Sequence, residues 1–176
     1  YYSYLSVPYY LYEGQVEYPS KEEIEEEIIY YFDQQYEFCL FYDDLSFEEV
    51  SLEVQIEEGL VNYFVNLPLT YNLSDSIYNL ENDYDYTFDL NLNGLYENSI
   101  RIAENHLDSP FVDVTFLGSM DSNEITYSLF ENNTLVYMLV DNSSEELVED
   151  LNFKFALQIN YTSQDEELFY SLLEDL

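Results

Sequence analysis

The chain has 176 residues, 38 of them acidic and 3 basic, for a formal net charge of −35. Phosphate recognition needs Lys and Arg to replace counterions, and Lys21, Arg101 and Lys154 are the whole supply, which excludes a nucleic-acid or phosphate-ligand binder of ordinary design. Apolar residues make up 47% and aromatics 19%, enough for a packed core, so the charge is not that of a disordered acidic tail.

This length predicts one acidic α+β domain over 1–176, burying roughly 70% of its unfolded surface, with two lobes, 1–80 and 81–176, as the alternative division. The first twelve residues, YYSYLSVPYYLY, hold six tyrosines around Pro8 and read as an edge strand or an ordered arm. A helix is predicted over 20–36. Ser20 and Glu23 have capping-box spacing ahead of an apolar stripe of Ile24, Ile28, Tyr31 and Phe32, with Glu22, Glu25 and Glu26 on the exposed side.

From about residue 50 the period changes to two. Val50, Leu52, Val54 and Ile56 alternate with polar residues, and after Glu58-Gly59 the pattern resumes with Val61, Tyr63, Val65 and Leu67, predicting a hairpin. Residues 59–80 contain one acid, Asp75, which places this stretch centrally in the sheet. Tyr84, Tyr86, Phe88, Leu90 and Leu92 alternate up to Asn93-Gly94, a hairpin-turn dipeptide. In the segment that follows, Ile100 and Ile102 suit a returning strand while Tyr96, Ile100, Ala103 and Leu107 suit a helix; the turn favours the strand.

Further strands are predicted at 111–117, at 124–130 and 134–140 joined across Asn132-Asn133, and at 152–161. A short capped turn at 143–151 and a closing helix at 163–176, with Leu168, Phe169, Leu172, Leu173 and Leu176 inward, complete the reading. The class is α+β, with a mostly antiparallel β-sheet, an acidic helix in the N-terminal half and a C-terminal helix. Gln15–Glu23 and Gln158–Glu166 resemble one another as strands entering a Ser-capped acidic helix; without further self-similarity they read as two generic strand-to-helix transitions.

Catalytic parts are scarce. One histidine, His106, in AENHLDSP reads as a solvent-exposed loop residue, and one cysteine, Cys39, between aromatics reads as an inert thiol. One Cys excludes an intrachain disulfide, and a His/Cys zinc cluster cannot be assembled. Asp89-x-Asn91-x-Asn93-Gly94 copies half of an EF-hand loop, yet the twelfth position is Ile100 and the flanks have a strand period. We therefore expect neither an enzyme nor a resident cofactor or metal. No apolar run approaches the roughly 20 residues of a membrane span.

The sequons at Asn72, Asn132, Asn142 and Asn160 support an alternative: an extracellular or virion surface protein, glycosylated or calcium-binding. The charge supports the main reading. Between Glu17 and Glu58 there are 15 acids, and on helix 20–36 positions 22, 25 and 26 form a comb whose carboxylates repel at these spacings. A surface of about 9,000 Å² gives about 260 Å² per net charge, against on the order of 100 Å² per phosphate in duplex DNA, so imitation of DNA requires the acids to cluster on one face. Tyrosines between them would supply anchoring area.

In size, acidity and lack of catalytic residues the chain resembles the DNA-mimic proteins of phages and mobile elements, such as anti-restriction and anti-CRISPR proteins and inhibitors of DNA-repair enzymes. The resemblance is compositional and rests on no motif. It implies an inhibitor in the host-cell cytoplasm that binds the basic nucleic-acid-binding surface of a host protein, without touching nucleic acid or membrane itself. The carboxylates expected to carry this are Glu22, Glu25, Glu26, Asp43, Asp44, Glu48 and Glu49, followed by Asp83, Asp85, Glu145 and Glu146.

Overall fold

In the computed structural model the described residues are 7–39, 45–47, 49–73, 76–80, 82–120, 124–141 and 151–159. The chain divides into two compact units. One is continuous, Pro19–Asn93, and the other is formed by Tyr1–Tyr18 together with Gly94–Leu176. The alternative division at residue 80, drawn from length, falls inside the continuous unit. Each unit carries 19 of the 38 acids. The class is mixed α+β with mostly antiparallel sheets, and among the described residues no helix is long and apolar enough to cross a membrane.

The discontinuous unit is built on strands β1 (Tyr9–Tyr12), β2 (Gln15–Val16), β9 (Glu124–Phe130), β10 (Thr134–Asp141) and β11 (Leu151–Gln158), in the order β2-β1-β11-β10-β9. All neighbours are antiparallel except β1 with β11. The β1–β2 turn is Glu13-Gly14, with φ of 51° and 79°, the double left-handed conformation whose twist suits a two-residue hairpin. Asn132 and Asn133, at φ of 58° and 53°, turn β9 into β10, as the sequence predicts; a short polar side chain makes that conformation tolerable.

Helix α2 (Leu92–Asp108) buries Leu95, Tyr96, Ser99, Ile102, Ala103 and His106. This corrects the hairpin expected at Asn93-Gly94 and the strand after it: both residues stand in the first turn of a helix. The repeat at 95, 99, 102, 103 and 106 places one stripe against the core, and that burial outweighs the local preference of Asn-Gly for a turn. Buried Ser99 bonds back to the Tyr96 carbonyl at 2.6 Å. The strand expected at 111–117 is likewise replaced, by α3 (Val114–Gly118), capped by the Asp113 carboxylate, which accepts from the backbone N–H of Thr115 (3.0 Å) and Phe116 (2.9 Å).

Core residues of this unit include Tyr10, Leu95, Ile102, Leu135, Tyr137, Leu139, Phe155 and Leu157. Rings cross four strands in sequence: Tyr127 to Tyr137 (5.8 Å), Tyr137 stacked on Phe155 (5.4 Å), and Phe155 to Tyr10 (5.0 Å). Aromatic pairs at these separations contribute about 0.5–1.5 kcal/mol each beyond their area, so the tyrosine content serves partly to close this core.

The continuous unit begins with α1 (Lys21–Cys39). Its capping box is closed: Ser20 N–H donates to Glu23 Oε2 at 2.7 Å and Glu23 N–H to Ser20 Oγ at 3.2 Å. Two three-stranded sheets follow. β4 (Ser51–Glu57), β5 (Leu60–Asn66) and β8 (Asp83–Phe88) form one, in the order β4-β5-β8; β3 (Leu45–Phe47), β6 (Leu69–Leu73) and β7 (Ser76–Asn79) form the other, in the order β3-β6-β7. The predicted hairpin is present as β4 and β5, with Gly59 at φ 74°. Residues 59–80 do not lie in the middle of one sheet: β5 and β6 are central strands of different sheets and β7 is an edge. The strand expected to reach Leu92 ends at Phe88. The predicted turn at 143–151 and helix at 163–176 lie outside the described residues, Leu151 apart, as does the Ser-capped helix of the second Gln158–Glu166 echo.

Candidate functional site

The β4-β5-β8 sheet has two chemically different faces because its registers align like with like. Leu52 pairs with Val65 and Val65 with Tyr84; Val54 pairs with Tyr63 and Tyr63 with Tyr86; Ile56 pairs with Val61 and Val61 with Phe88. These residues point to the inner face, which α1 partly covers. The outer face carries Glu53, Gln55, Glu57, Asn62, Phe64, Asn66, Asp83, Asp85 and Thr87, following from the period of two.

On the outer face Phe64 lies directly between Glu53 on β4 and Asp85 on β8. Phe64 is 37% exposed, so an aromatic surface sits between two acidic side chains whose Cβ atoms lie about 5 Å to either side. Neighbouring amides orient the acids: Asn66 Nδ2 donates to Asp83 Oδ1 and Gln55 Nε2 to Glu53 Oε1, both at 2.7 Å. Thr87 Oγ1 donates to Asn62 Oδ1 at 2.7 Å. Asp83 and Asp85 are two residues apart on one strand, about 6.8 Å, a pitch close to that of phosphates along a nucleic-acid strand.

The acids of α1 divide by role. Glu22 and Glu26 are exposed, and Asp33 falls on the same stripe. Glu25 does not belong to that comb. Its Oε1 accepts from the backbone N–H of Ile56 at 2.7 Å, so it ties α1 to β4 and satisfies a partly buried amide. Tyr31, expected on the buried side, is 68% exposed. Glu49 is exposed just ahead of β4. Asp43, Asp44, Glu48, Glu145 and Glu146 lie outside the described residues. Because α1 packs on the inner face, the Glu22/Glu26/Asp33 stripe and the outer-face carboxylates look away from one another. Within the continuous unit these acids therefore form two separate surfaces and not one array.

Between α1 and the inner face is an open apolar groove of about 530 Å³, lined by Ile28, Phe32, Tyr63, Val65, Tyr86 and Phe88 among others. Its cause is local: α1 packs on β4 and scarcely on β5 or β8, leaving Tyr63, Val65, Tyr86 and Phe88 only partly covered. Burial pushes the Tyr63 phenol above its usual value of 10. Sequence periodicity marks these residues as core, and no sequence signal says that the helix stops short of β8.

His106 is buried in α2, at 6% exposure, which corrects the loop position expected for it. Its Nδ1 lies 3.2 Å from the Ser109 carbonyl and its Nε2 2.7 Å from Tyr137 Oη. A carbonyl only accepts, so Nδ1 carries the proton and Nε2 accepts from the phenol. Burial lowers its pKa from the ordinary 6.5, partly offset by the Ser109 carbonyl. The Cys39 side chain lies outside the described residues. The residues of the half EF-hand pattern run from the end of β8 into α2, and among the described residues no three His, Cys, Asp or Glu side chains converge as metal ligands. Comparison with protein-family models, curated proteins and solved structures gives no match.

Proposed function

We propose that the protein is an acidic inhibitor that occupies the basic nucleic-acid-binding surface of another protein, imitating nucleic acid with the outer face of its β4-β5-β8 sheet. The Glu53–Phe64–Asp85 row carries this reading. Oriented carboxylates with an aromatic between them match what a nucleic-acid groove meets, namely anionic positions flanking a flat ring. Glu57 and Asp83 extend the charge along the same face, and Lys21, on α1, is the single base of this unit. Many screened charges give fast, salt-sensitive association, while the ring excludes water and slows release. A host defence protein of the anti-restriction or anti-CRISPR kind is the target class that the compositional resemblance suggests, acting in the host-cell cytoplasm.

The test is competition. The protein is immobilised, basic proteins are captured from a host lysate at about 50 mM salt, and each captured protein is assayed for nucleic-acid binding with the inhibitor added. Displacement that weakens steeply by about 200 mM salt, and is lost in a Glu53→Lys/Asp85→Lys variant, supports the reading. Captured proteins that bind nucleic acid equally well with the inhibitor present overturn it.

The surface-protein reading has its own observation: the sequons at Asn72 and Asn132 are both exposed. Expression in a secreting eukaryotic cell and intact mass measurement decide it, a glycan mass shift at these sites favouring that reading and its absence removing its support.

A further inference from the structure

An edge strand leaves a row of N–H and C=O groups open to another strand, and proteins shield long edges with charge, proline, a bulge or a covering element. Among the described residues the three sheets end in β2, β9, β3, β7, β4 and β8. β2, β3 and β7 are two to four residues long. β4 and β8 are longer, and each carries two carboxylates: Glu53 and Glu57 on β4, Asp83 and Asp85 on β8. β9 is seven residues long, EITYSLF, and beyond Glu124 it holds no charge, no proline and no glycine. Its register with β10 runs unbroken from Glu124 to Phe130, so no bulge turns the edge away.

Side chains along β9 repeat the pattern. Ile125, Tyr127 and Leu129 share one face, set by their pairing with Leu139, Tyr137 and Leu135 of the core. The core row therefore runs out to the edge and stops there open: Leu129 is 63% and Tyr127 46% exposed. A strand added beyond β9 continues that row.

The sequence of β9 selects which strand. A basic strand finds no carboxylate over Ile125–Phe130, whereas a second β9 fits residue by residue. Antiparallel pairing about a two-fold axis through Tyr127, the middle residue, sets Ile125 opposite Leu129 of the second copy and Tyr127 opposite its counterpart. On the other face Thr126 meets Ser128 and Glu124 meets Phe130. Apolar thus faces apolar, hydroxyl faces hydroxyl, and an aromatic pair closes the axis. No acid opposes an acid, and the two Glu124 stand at opposite ends, about 20 Å apart. Moving the axis to Ser128 would set Ile125 against Glu131 and shorten the paired stretch.

We infer that β9 is a self-association edge, pairing antiparallel with β9 of a second copy about a two-fold axis at Tyr127 and joining two five-stranded sheets into one. This rests on the edge alone and not on the inhibitor reading. One strand pair covers less than a standard interface, so the dimer is weak, with a dissociation constant on the order of 10–100 µM. Two chains at −35 each repel, so salt strengthens this association, the reverse of its effect on capture by a basic surface.

Sedimentation equilibrium of the full-length protein from about 5 to about 500 µM, at about 0.1 M and about 1 M salt, tests this, the screening length falling from about 10 Å to about 3 Å. The mass should rise from that of one chain, 21.0 kDa, toward two. The dissociation constant should be at least about tenfold lower at the higher salt. Thr126 and Ser128, both exposed, test the register at about 0.1 M salt. Thr126→Lys/Ser128→Lys and Thr126→Glu/Ser128→Glu each set like charges directly opposite and should dimerise at least about tenfold more weakly than wild type. An equimolar mixture of the two sets opposite charges across the axis and should dimerise again. A wild type that stays single at every concentration and both salts overturns the inference and leaves the edge to a strand of another protein. Association that weakens with salt, double variants that assemble like wild type, or a mixture that stays monomeric while circular dichroism shows both variants folded would each overturn it too.

Discussion

The phenol of Tyr137, in the middle strand of the five-stranded sheet, donates to Nε2 of His106 at 2.7 Å, fixing the one imidazole of the chain against the aromatic row that spans β9, β10, β11 and β1. Tyr137→Phe keeps the ring stack and removes the donor, leaving a buried nitrogen without its bond. The expected cost is about 1–3 kcal/mol, read as a lower urea midpoint with an unchanged slope.

The same pair makes stability depend on pH with a definite sign. The folded pKa of His106 is lowered by burial, so the unfolded chain takes up the proton more readily. Stability from this residue is complete above the unfolded value near 6.5 and declines as pH falls from there toward the folded value. Carboxylate discharge below about pH 5 relieves self-repulsion and acts in the opposite direction. The difference between wild type and His106→Gln isolates the histidine: the wild-type advantage should narrow as pH falls below about 6.5, and a constant gap would refute the assignment.

Glu25 and its helix neighbours should separate cleanly. Glu25→Ala removes the acceptor of the Ile56 amide and should cost about 1.5–3 kcal/mol, the range for a bond to a charged group. Glu22→Gln and Glu26→Gln, at exposed positions, should change stability by less than about 0.5 kcal/mol. Thermal unfolding of the three variants decides.

Turns offer a test with both signs. Glu13 holds φ 51° beside Gly14, where Asn is the favoured first residue, so Glu13→Asn should stabilise by roughly 0.5 kcal/mol. Gly59→Ala meets no atom within 4 Å, yet φ of 74° strains any L side chain, and a loss of about 1–2 kcal/mol is expected. Urea midpoints should move in opposite directions.

A net charge of −35 should make the free protein more stable as salt is added. Raising ionic strength from about 0.01 M to 0.15 M shortens the screening length from about 30 Å to about 8 Å, and the melting temperature should climb across that range. A flat response would mean that the charges are far apart or already neutralised by bound cations.

What the sequence disclosed and concealed follows physical lines. The 20–36 helix was readable because Ser20 and Glu23 are three residues apart and their bond is local; the β4–β5 and β9–β10 hairpins were readable because alternation and turn chemistry agree. α2 was misread because Asn93-Gly94 is a strong local turn signal, while the burial that overrides it comes from strands more than thirty residues away, such as β10 at Tyr137. His106 was misplaced for the same reason, its partner Tyr137 being remote in sequence. Of the site, the alternation of Asp83 and Asp85 with Tyr84 and Tyr86 was visible. That Phe64 lies between Glu53 and Asp85 depends on two strand registers, and that Glu25 serves Ile56 depends on helix-to-sheet packing.

The joining of β1 to β11 has a consequence for synthesis. Residues 9–12 pair locally with β2 but must wait for 151–158 before their bonds to β11 exist, whereas Pro19–Asn93 emerges from the ribosome as one uninterrupted stretch. The inner segment can reach its final shape during translation, and the surrounding one closes only near the end. Tyr10 and Leu11 stay uncovered in the interval, so a nascent chain stalled before residue 151 should be the form most open to chaperones and proteases.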